Sequence, residues 1–353
     1  VYGKAIPVGE NRIILVDTQE RIQCFSSHDG KLLWSDIGNP ESGREARHDE
    51  HIVYQHGNIY SRREDKDIVA MDPVDGKILW KYYGRFNEET FQGHFRFYED
   101  RIMIFHTNNS VFALDLRTGT VLWKQKVSGL MQNNSCSFIW KNYYIVQTQS
   151  KKRDRGYLVY IDAENGEVAR TVKLGIPGCN GEVVMVHNSF AIYNDELWYK
   201  SQYYYLCRID LNTGKHLDSR ISGCGVENFT QMKLSIFVLS SIHIHNGKLY
   251  LKGAKMVGIE NPRTAKHVDL GIYECNIESR EIKAVNIEPG AMSGFEIHGG
   301  KYLFLQFQSK LNVMEITTGK RVEITIPNKP TTYCMADDRL YLVGGNTVHT
   351  VLF

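Results

Sequence analysis

The chain has 353 residues, of which 23% are charged, and a formal net charge of +2. A near-neutral balance argues against binding nucleic acid through bulk charge, and no run approaches the eighteen or so apolar residues that a membrane-spanning helix requires. Twenty tyrosines and fifteen phenylalanines beside only eight prolines fit a sheet-rich protein.

From the N-terminus, residues 11–16 and 21–25 read as strands, followed by a turn at Gly30 and an apolar run that ends on Trp34. The same phrase returns as Ala70-Met-Asp72-Pro-Val-Asp-Gly76-Lys-Ile-Leu-Trp80 and as Ala113-Leu-Asp115-Leu-Arg-Thr118-Gly119-Thr-Val-Leu-Trp123. In the third unit, residues 95–98, 101–105, 111–115 and 121–123 are four short strand-like runs. They are separated by Glu99-Asp100, Asn108-Asn109-Ser110 and Arg117-Thr118-Gly119, all turn formers. Glycine supplies the positive φ of a tight hairpin, and the aspartate four residues earlier can accept hydrogen bonds from the turn's amides. Further turns fall at Gly166, Gly214, Arg280 (where the glycine is lost) and Gly319, while Arg170, Asp218, Ala284 and Glu323 replace the tryptophan. Residues 331–335, 339–343 and 347–353 match the first three strands of one more unit.

A repeat of roughly 40 to 50 residues built from short strands means a propeller or solenoid. A lone four-stranded sheet cannot bury its two faces, so such sheets stack radially. The expectation is an all-β fold, a β-propeller of four-stranded antiparallel blades. It has eight blades, with seven as the alternative, in one domain over 1–353. The ring would close by pairing the N-terminal residues, Val1 to about Lys4 or a stretch upstream, with the C-terminal blade. That arrangement leaves no open sheet edge.

Ala113, Asp115, Thr118, Gly119 and Trp123, with Ala70, Asp72, Gly76 and Trp80, resemble the tryptophan-docking repeat of the pyrroloquinoline-quinone-type propellers. Trp34 extends the pattern. That superfamily includes quinoprotein alcohol dehydrogenases, a bacterial outer-membrane assembly lipoprotein, lumenal stress sensors and interaction modules, so fold alone does not choose the function. Its enzymes stack the quinone against a disulfide of adjacent cysteines and hold calcium with carboxylates. Here no two of the seven cysteines are neighbours, and no calcium loop of closely spaced carboxylates is identifiable.

No phosphate loop, nucleophile elbow or H-E-x-x-H occurs. His243-Ile-His245 and the group His48, His51 and His56 are the nearest approach to metal ligands, and they read better as ordinary strand-end or loop histidines. Enzymatic activity, cofactor and metal are therefore not expected. Seven scattered cysteines without a CxxC pair favour buried free thiols and a cytoplasmic location, with the periplasm as the alternative if an upstream signal was removed.

A partner surface is suggested by the second-to-third strand connections, which lengthen at residues 61–67, 150–156 and 255–266. They carry Arg62, Arg63, Lys66, Lys151, Lys152, Arg153, Arg155, Lys255, Arg263 and Lys266 against only Glu64, Asp65, Asp67, Asp154 and Glu260. A basic rim steers acidic protein or peptide partners. Tyr82, Tyr83, Phe86, Tyr199 and Tyr203 to Tyr205 could supply aromatic anchors, though the last three also read as a strand with core rings. The expected function is a non-catalytic interaction scaffold or substrate-recognition module. It could form the C-terminal part of a larger adaptor such as an F-box-type protein. The alternatives are a quinone-dependent dehydrogenase and an envelope assembly scaffold.

Overall fold

The computed structural model describes residues 2–17, 21–36, 52–62, 67–83, 91–106, 109–129, 136–150, 156–174, 185–201, 206–215, 217, 236–257, 266–279, 282–287, 294–298, 300–306, 310–325, 332–336, 339–344 and 347–352. Among them the regular elements are strands, and they form eight antiparallel sheets in which strand order follows chain order.

The first sheet holds β1 (Tyr2–Val8), β2 (Arg12–Asp17), β3 (Ile22–Ser26) and β4 (Leu32–Ser35). The second holds β5 (Ile52–Gln55), β6 (Asn58–Arg62), β7 (Ile68–Met71) and β8 (Ile78–Tyr82). The third holds β9 (Phe91–Tyr98), β10 (Arg101–His106), β11 (Ser110–Asp115) and β12 (Val121–Lys126). In the fourth are β13 (Ser137–Trp140), β14 (Tyr143–Gln149), β15 (Gly156–Asp162) and β16 (Val168–Leu174). The fifth has three strands among the described residues, β17 (Met185–Tyr193), β18 (Glu196–Ser201) and β19 (Leu206–Asp210). The sixth contains β20 (Ile236–His245), β21 (Lys248–Val257), β22 (Lys266–Asn276) and β23 (Ile282–Ile287). The seventh contains β24 (Gly294–His298), β25 (Tyr302–Gln306), β26 (Lys310–Glu315) and β27 (Arg321–Thr325). The last, again with three strands among the described residues, is β28 (Thr332–Ala336), β29 (Arg339–Gly344) and β30 (Thr347–Leu352).

The tail thus makes a sheet of its own, and the fold class is an all-β, eight-bladed propeller. Seven blades are set aside. Of the two expected sources of the last sheet's fourth strand, Val1 to about Lys4 or a stretch upstream, the first pairs elsewhere. Residues Tyr2–Val8 hydrogen-bond to Arg12–Asp17 and complete the first sheet, so they are not the missing fourth strand of the last one. Their tie to the last sheet is by packing, as β1 lies beside β28. Ala5, Ile13 and Leu15 share an apolar cluster with Cys334 and Tyr341.

The chain divides into two compact units. One comprises Val1–Lys126, Asp162–Glu167 and Thr325–Phe353, the other Val127–Ile161 and Val168–Ile324. Within each, apolar clusters bridge successive sheets. Val8, Ile14 and Cys24 pack with Ile52, Ile59 and Met71, and Tyr60, Ile68 and Ala70 with Phe95, Ile102 and Phe112. In the other unit, Phe138, Leu158 and Tyr160 pack with Leu197, Tyr199 and Ile209. Third strands are buried on both faces, β7 throughout and β11 up to its last residue, which explains their unbroken apolar sequences. Fourth strands alternate instead, as in β12. The apolar pairs ahead of the tryptophans, Leu32-Leu33, Ile78-Leu79 and Val121-Leu122, are largely solvent-exposed.

Candidate functional site

The repeated turn is a local hydrogen-bonded unit. The Asp115 carboxylate accepts from the Thr118 amide at 2.8 Å and the Arg117 amide at 3.0 Å, and the Gly119 amide donates to the Asp115 carbonyl at 2.9 Å. Asp72, Asp162 and Asp210 do the same for their own turns. Ser26 substitutes in the first sheet and Asn276 in the sixth. A bulge in the third-to-fourth ladder recurs just before this turn in β3, β7, β11, β15 and β22. It swings the fourth strand so that its tryptophan points out of its own sheet.

Each tryptophan docks on the turn of the following sheet. The Trp34 indole N–H donates to the Pro73 carbonyl at 3.0 Å, Trp80 to Leu116 at 3.0 Å and Trp123 to Ala163 at 3.1 Å. The rings lie flat on Gly76, Gly119 and Gly166. A β-carbon at Gly76 or Gly166 would fall 2.6 Å from the indole, and all three glycines have positive φ. Only glycine meets both conditions at once. In the fourth sheet, where the tryptophan is lost, the device is rebuilt. The Arg170 guanidinium donates to the Leu211 and Asn212 carbonyls and lies 4.1 Å over the Tyr160 ring. Val172 takes the place against Gly214, 2.6 Å from where a β-carbon would be. The sequence alone signals Arg170 only as a departure from the repeat.

The first sheet's own turn is different. Gly30 has φ +71° and the same Gly30-to-Ser26 hydrogen bond at 3.0 Å, yet no described atom lies within 4 Å of a β-carbon built on it. A cavity of about 370 Å³ opens there, bounded by Phe25, Ser27 and Gly30 on one side and Tyr341, Val348 and Thr350 on the other.

The expected basic rim is only partly on view. Arg63, Lys66, Lys151, Lys152, Arg153, Arg155 and Arg263 lie outside the described residues. Arg62 ends β6. Lys255 and Lys266 are strand residues, not loop residues: the β21–β22 ladder pairs Lys255 with Val268 and Val257 with Lys266. That shortens the sixth-sheet connection, because the ladder hydrogen bonds run on beyond the point where Gly253, Gly258 and polar residues suggest a loop. Among the proposed anchors, Tyr83 is 60% exposed and Tyr199 is fully buried, and Tyr82 packs on Phe112 at 5.6 Å. Phe86 and Tyr203 to Tyr205 fall outside the described residues.

Residues His48 and His51 lie outside the described residues, while His56 packs on Phe97. His243 lies edge-on to Phe295 at 4.8 Å, and burial lowers its pKa. Among the described residues no three His, Cys, Asp or Glu side chains gather to hold a metal ion. Of the cysteines, Cys24, Cys136, Cys207, Cys275 and Cys334 are free and buried. Burial pushes the Cys24 thiol up to about 11 and the Cys334 thiol to about 12.

Residues 3–220 match the family described as "Outer membrane protein assembly factor BamB". The protein of that name from Escherichia coli (strain K12) is 25% identical over 197 residues, 54% of this chain and 45% of that protein. The one from Salmonella typhimurium (strain LT2) is 26% identical over 183 residues, 50% of this chain and 42% of that protein. The matches thus span less than half the length of these relatives. Among solved structures, BamB from Moraxella catarrhalis superposes with a TM-score of 0.60 at 12% identity over 99% of this chain and 94% of that one. The computationally designed Ika8 protein gives 0.66 at 11%, over 100% and 96%. A quinohemoprotein alcohol dehydrogenase, ADHIIG from Pseudomonas putida HK5, gives 0.58 at 11%, over 97% and 69%. At such identities these likenesses show the fold alone. The two sequence relatives carry the name of an assembly factor, not of an F-box-type adaptor, while the solved structures of like fold include a dehydrogenase. The expectation of a cytoplasmic protein is overturned by the same finding, since the matched family is named for the outer membrane. Free thiols misled because burial keeps them unreactive in any compartment.

Proposed function

Since the chain belongs to the family of the outer membrane protein assembly factor BamB, we propose that it is a non-catalytic scaffold of the cell envelope, on the periplasmic side, that holds a protein or peptide partner. The family match over residues 3–220 carries this reading. The geometry supports it, because the repeated aspartates, glycines and tryptophans are engaged in joining sheets. Among the described residues, no three His, Cys, Asp or Glu side chains gather to hold a metal ion. The partner-binding part of the proposal is the basic rim, Arg62, Arg63, Lys66, Lys151, Lys152, Arg153, Arg155, Lys255, Arg263 and Lys266, steering acidic segments toward the second-to-third strand connections. The test is a pull-down from an envelope extract with the intact chain and with a variant carrying Lys151, Lys152, Arg153 and Arg155 changed to serine. Loss of partners with the variant, and weakening of the intact chain's capture at high salt, are expected. Equal recovery by both removes the rim from the mechanism.

A further inference from the structure

In the first compact unit, one end of the sheets presents aliphatic side chains and carboxylates together. A four-stranded antiparallel sheet sends its first-to-second and third-to-fourth connections out of the same end. In the first three sheets all of these connections are described, at residues 9–11, 56–57 and 99–100 and at 27–31, 72–77 and 115–120. The same unit takes in the turn at Asp162–Glu167. Each fourth strand leaves its turn through an aliphatic pair, Leu32-Leu33, Ile78-Leu79 or Val121-Leu122, and Val74 stands on the turn of the second sheet. These seven side chains are 44% to 58% exposed, so they take little part in the joints between sheets. Copies without such a pair still form a fourth strand, since β16 begins Val168-Ala169 and β27 begins Arg321-Val322.

The tryptophan joints link these groups into one surface. Trp34 is bonded to Pro73, Trp80 to Leu116 and Trp123 to Ala163. Leu33 and Val74 are chain neighbours of the first bonded pair, Leu79 and Arg117 of the second, and Leu122 and Glu164 of the third. The aliphatic pair of each sheet is thereby carried to the turn of the next. The turns themselves are acidic. Residues 9–12, 27–31, 72–77, 99–101, 115–120 and 162–167 hold ten Asp and Glu against five Lys and Arg, in a chain whose formal net charge is +2. Two of those bases are taken up locally, Lys31 by Asp29 at 3.0 Å and Arg101 by Asp100 at 3.5 Å. Beyond the tryptophans the same strands turn basic, at Lys81, Lys124 and Lys126, so the acidic ground is confined to the turn end. An exposed apolar patch of this extent marks an interaction site, and the sign of the charge around it selects the partner.

We propose that this end of the first three sheets docks a basic amphipathic segment of a partner protein. Its apolar residues cover the aliphatic pairs and Val74, while its lysines or arginines face the turn carboxylates, Asp75 and Glu164 foremost. An anionic lipid surface would meet like charge here, and so would the same belt on a second copy, which leaves a cationic segment as the occupant that electrostatics favours. The inference extends the scaffold reading, on which it rests, to a surface opposite in sign to the basic rim and at the other end of the sheets from the second-to-third connections.

The probe is an amidated peptide repeating Leu-Lys-Lys-Leu-Leu-Lys-Leu, with a companion in which every lysine is glutamate, each titrated into the full chain and followed by fluorescence anisotropy. The lysine peptide is expected to bind, and the glutamate peptide to bind roughly tenfold more weakly or worse. Leu33→Ser, Leu79→Ser and Leu122→Ser together should weaken the lysine peptide by a similar factor. Asp75→Asn, Glu164→Gln and Glu167→Gln together should weaken it and flatten its salt dependence. All six side chains are exposed, so both variants should keep the thermal midpoint of the unaltered chain. Independently of any variant, photo-crosslinks from a benzophenone-bearing lysine peptide should fall within residues 27–33, 72–79 and 115–122. No binding of the lysine peptide, equal binding of the two peptides, or crosslinks confined to other stretches overturns the proposal. So does sedimentation with phosphatidylglycerol vesicles, or dimerisation at high concentration, that the leucine-to-serine variant abolishes, since either gives the belt to lipid or to a second copy. The serine variant of the rim should bind the lysine peptide as the unaltered chain does, so failure of the belt and failure of the rim are told apart.

Discussion

Gly119 and Gly319 have φ values of +69° and +70°, yet the first carries the Trp80 indole and the second touches nothing described. An alanine at either position meets the backbone strain of the left-handed region, about 1–2 kcal/mol. At Gly119 it also collides with a ring that is held by its own hydrogen bond, and overpacking of that sort adds about 1–3 kcal/mol. Urea unfolding should therefore show Gly119→Ala destabilised by roughly 2–4 kcal/mol and Gly319→Ala by about 1 kcal/mol. Equal losses would mean that the ring does not press on the turn. The pair separates what glycine does for conformation from what it does for space.

Among the elements, the β15–β16 hairpin shows how a degenerate copy keeps its join. Arg170 stands opposite Tyr160 at the place that Trp123 takes opposite Ala113. Its planar guanidinium reaches two carbonyls of the next turn while covering an aromatic face. Lysine cannot reproduce a forked, stacked contact. Arg170→Lys is thus expected to lose about 1–2 kcal/mol in chemical denaturation, the worth of a charge-assisted hydrogen bond. A loss within a few tenths of a kcal/mol would reduce Arg170 to a solvated surface charge. Sheet six has its own polar brace. The Glu274 carboxylate accepts from the Tyr250 hydroxyl at 2.8 Å and pairs with Lys248 and Lys283 at 3.1 and 3.2 Å.

Across the whole molecule, the turn and brace carboxylates make folding sensitive to acid. Burial raises the Asp115, Asp210 and Glu274 pKa values, but the hydrogen bonds and charges that they accept outweigh it and leave all three below normal. Asp195 is lowered mainly by hydrogen bonds from Asn212, Trp140 and Lys141. A carboxylate with a depressed folded pKa contributes stability that is present above its unfolded value, about 4. That contribution is lost as pH falls through the folded value. Half-buried His243, whose pKa desolvation lowers, acts in the same direction but starts near neutrality. The unfolded chain takes up its proton first, below about 6.5, so stability drops as pH falls from there. Thermal midpoints measured from pH 7 to 3 should decline in two stages, gently below about 6.5 and steeply below about 4. His243→Asn should flatten the first stage and Asp115→Asn should soften the second. A flat profile down to pH 3 would contradict both assignments.

Local chemistry is written in the sequence. The acidic or small polar residue, the glycine four positions later and the tryptophan beyond it are neighbours along the chain, so the turn, its repetition and the all-β class are legible without coordinates. The partners are not local. That Trp34 rests on Gly76 and that Arg170 can replace a tryptophan depend on segments of successive sheets meeting, and that Lys255, Lys266 and Tyr2–Val8 lie in paired strands depends on ladders that no turn signal marks. The cavity beside Gly30 is likewise a property of the first and last sheets together. Hydrogen-bond chemistry within a few residues settled the repeating unit, whereas packing between distant segments decided how the copies are joined and which side chains are left at the surface.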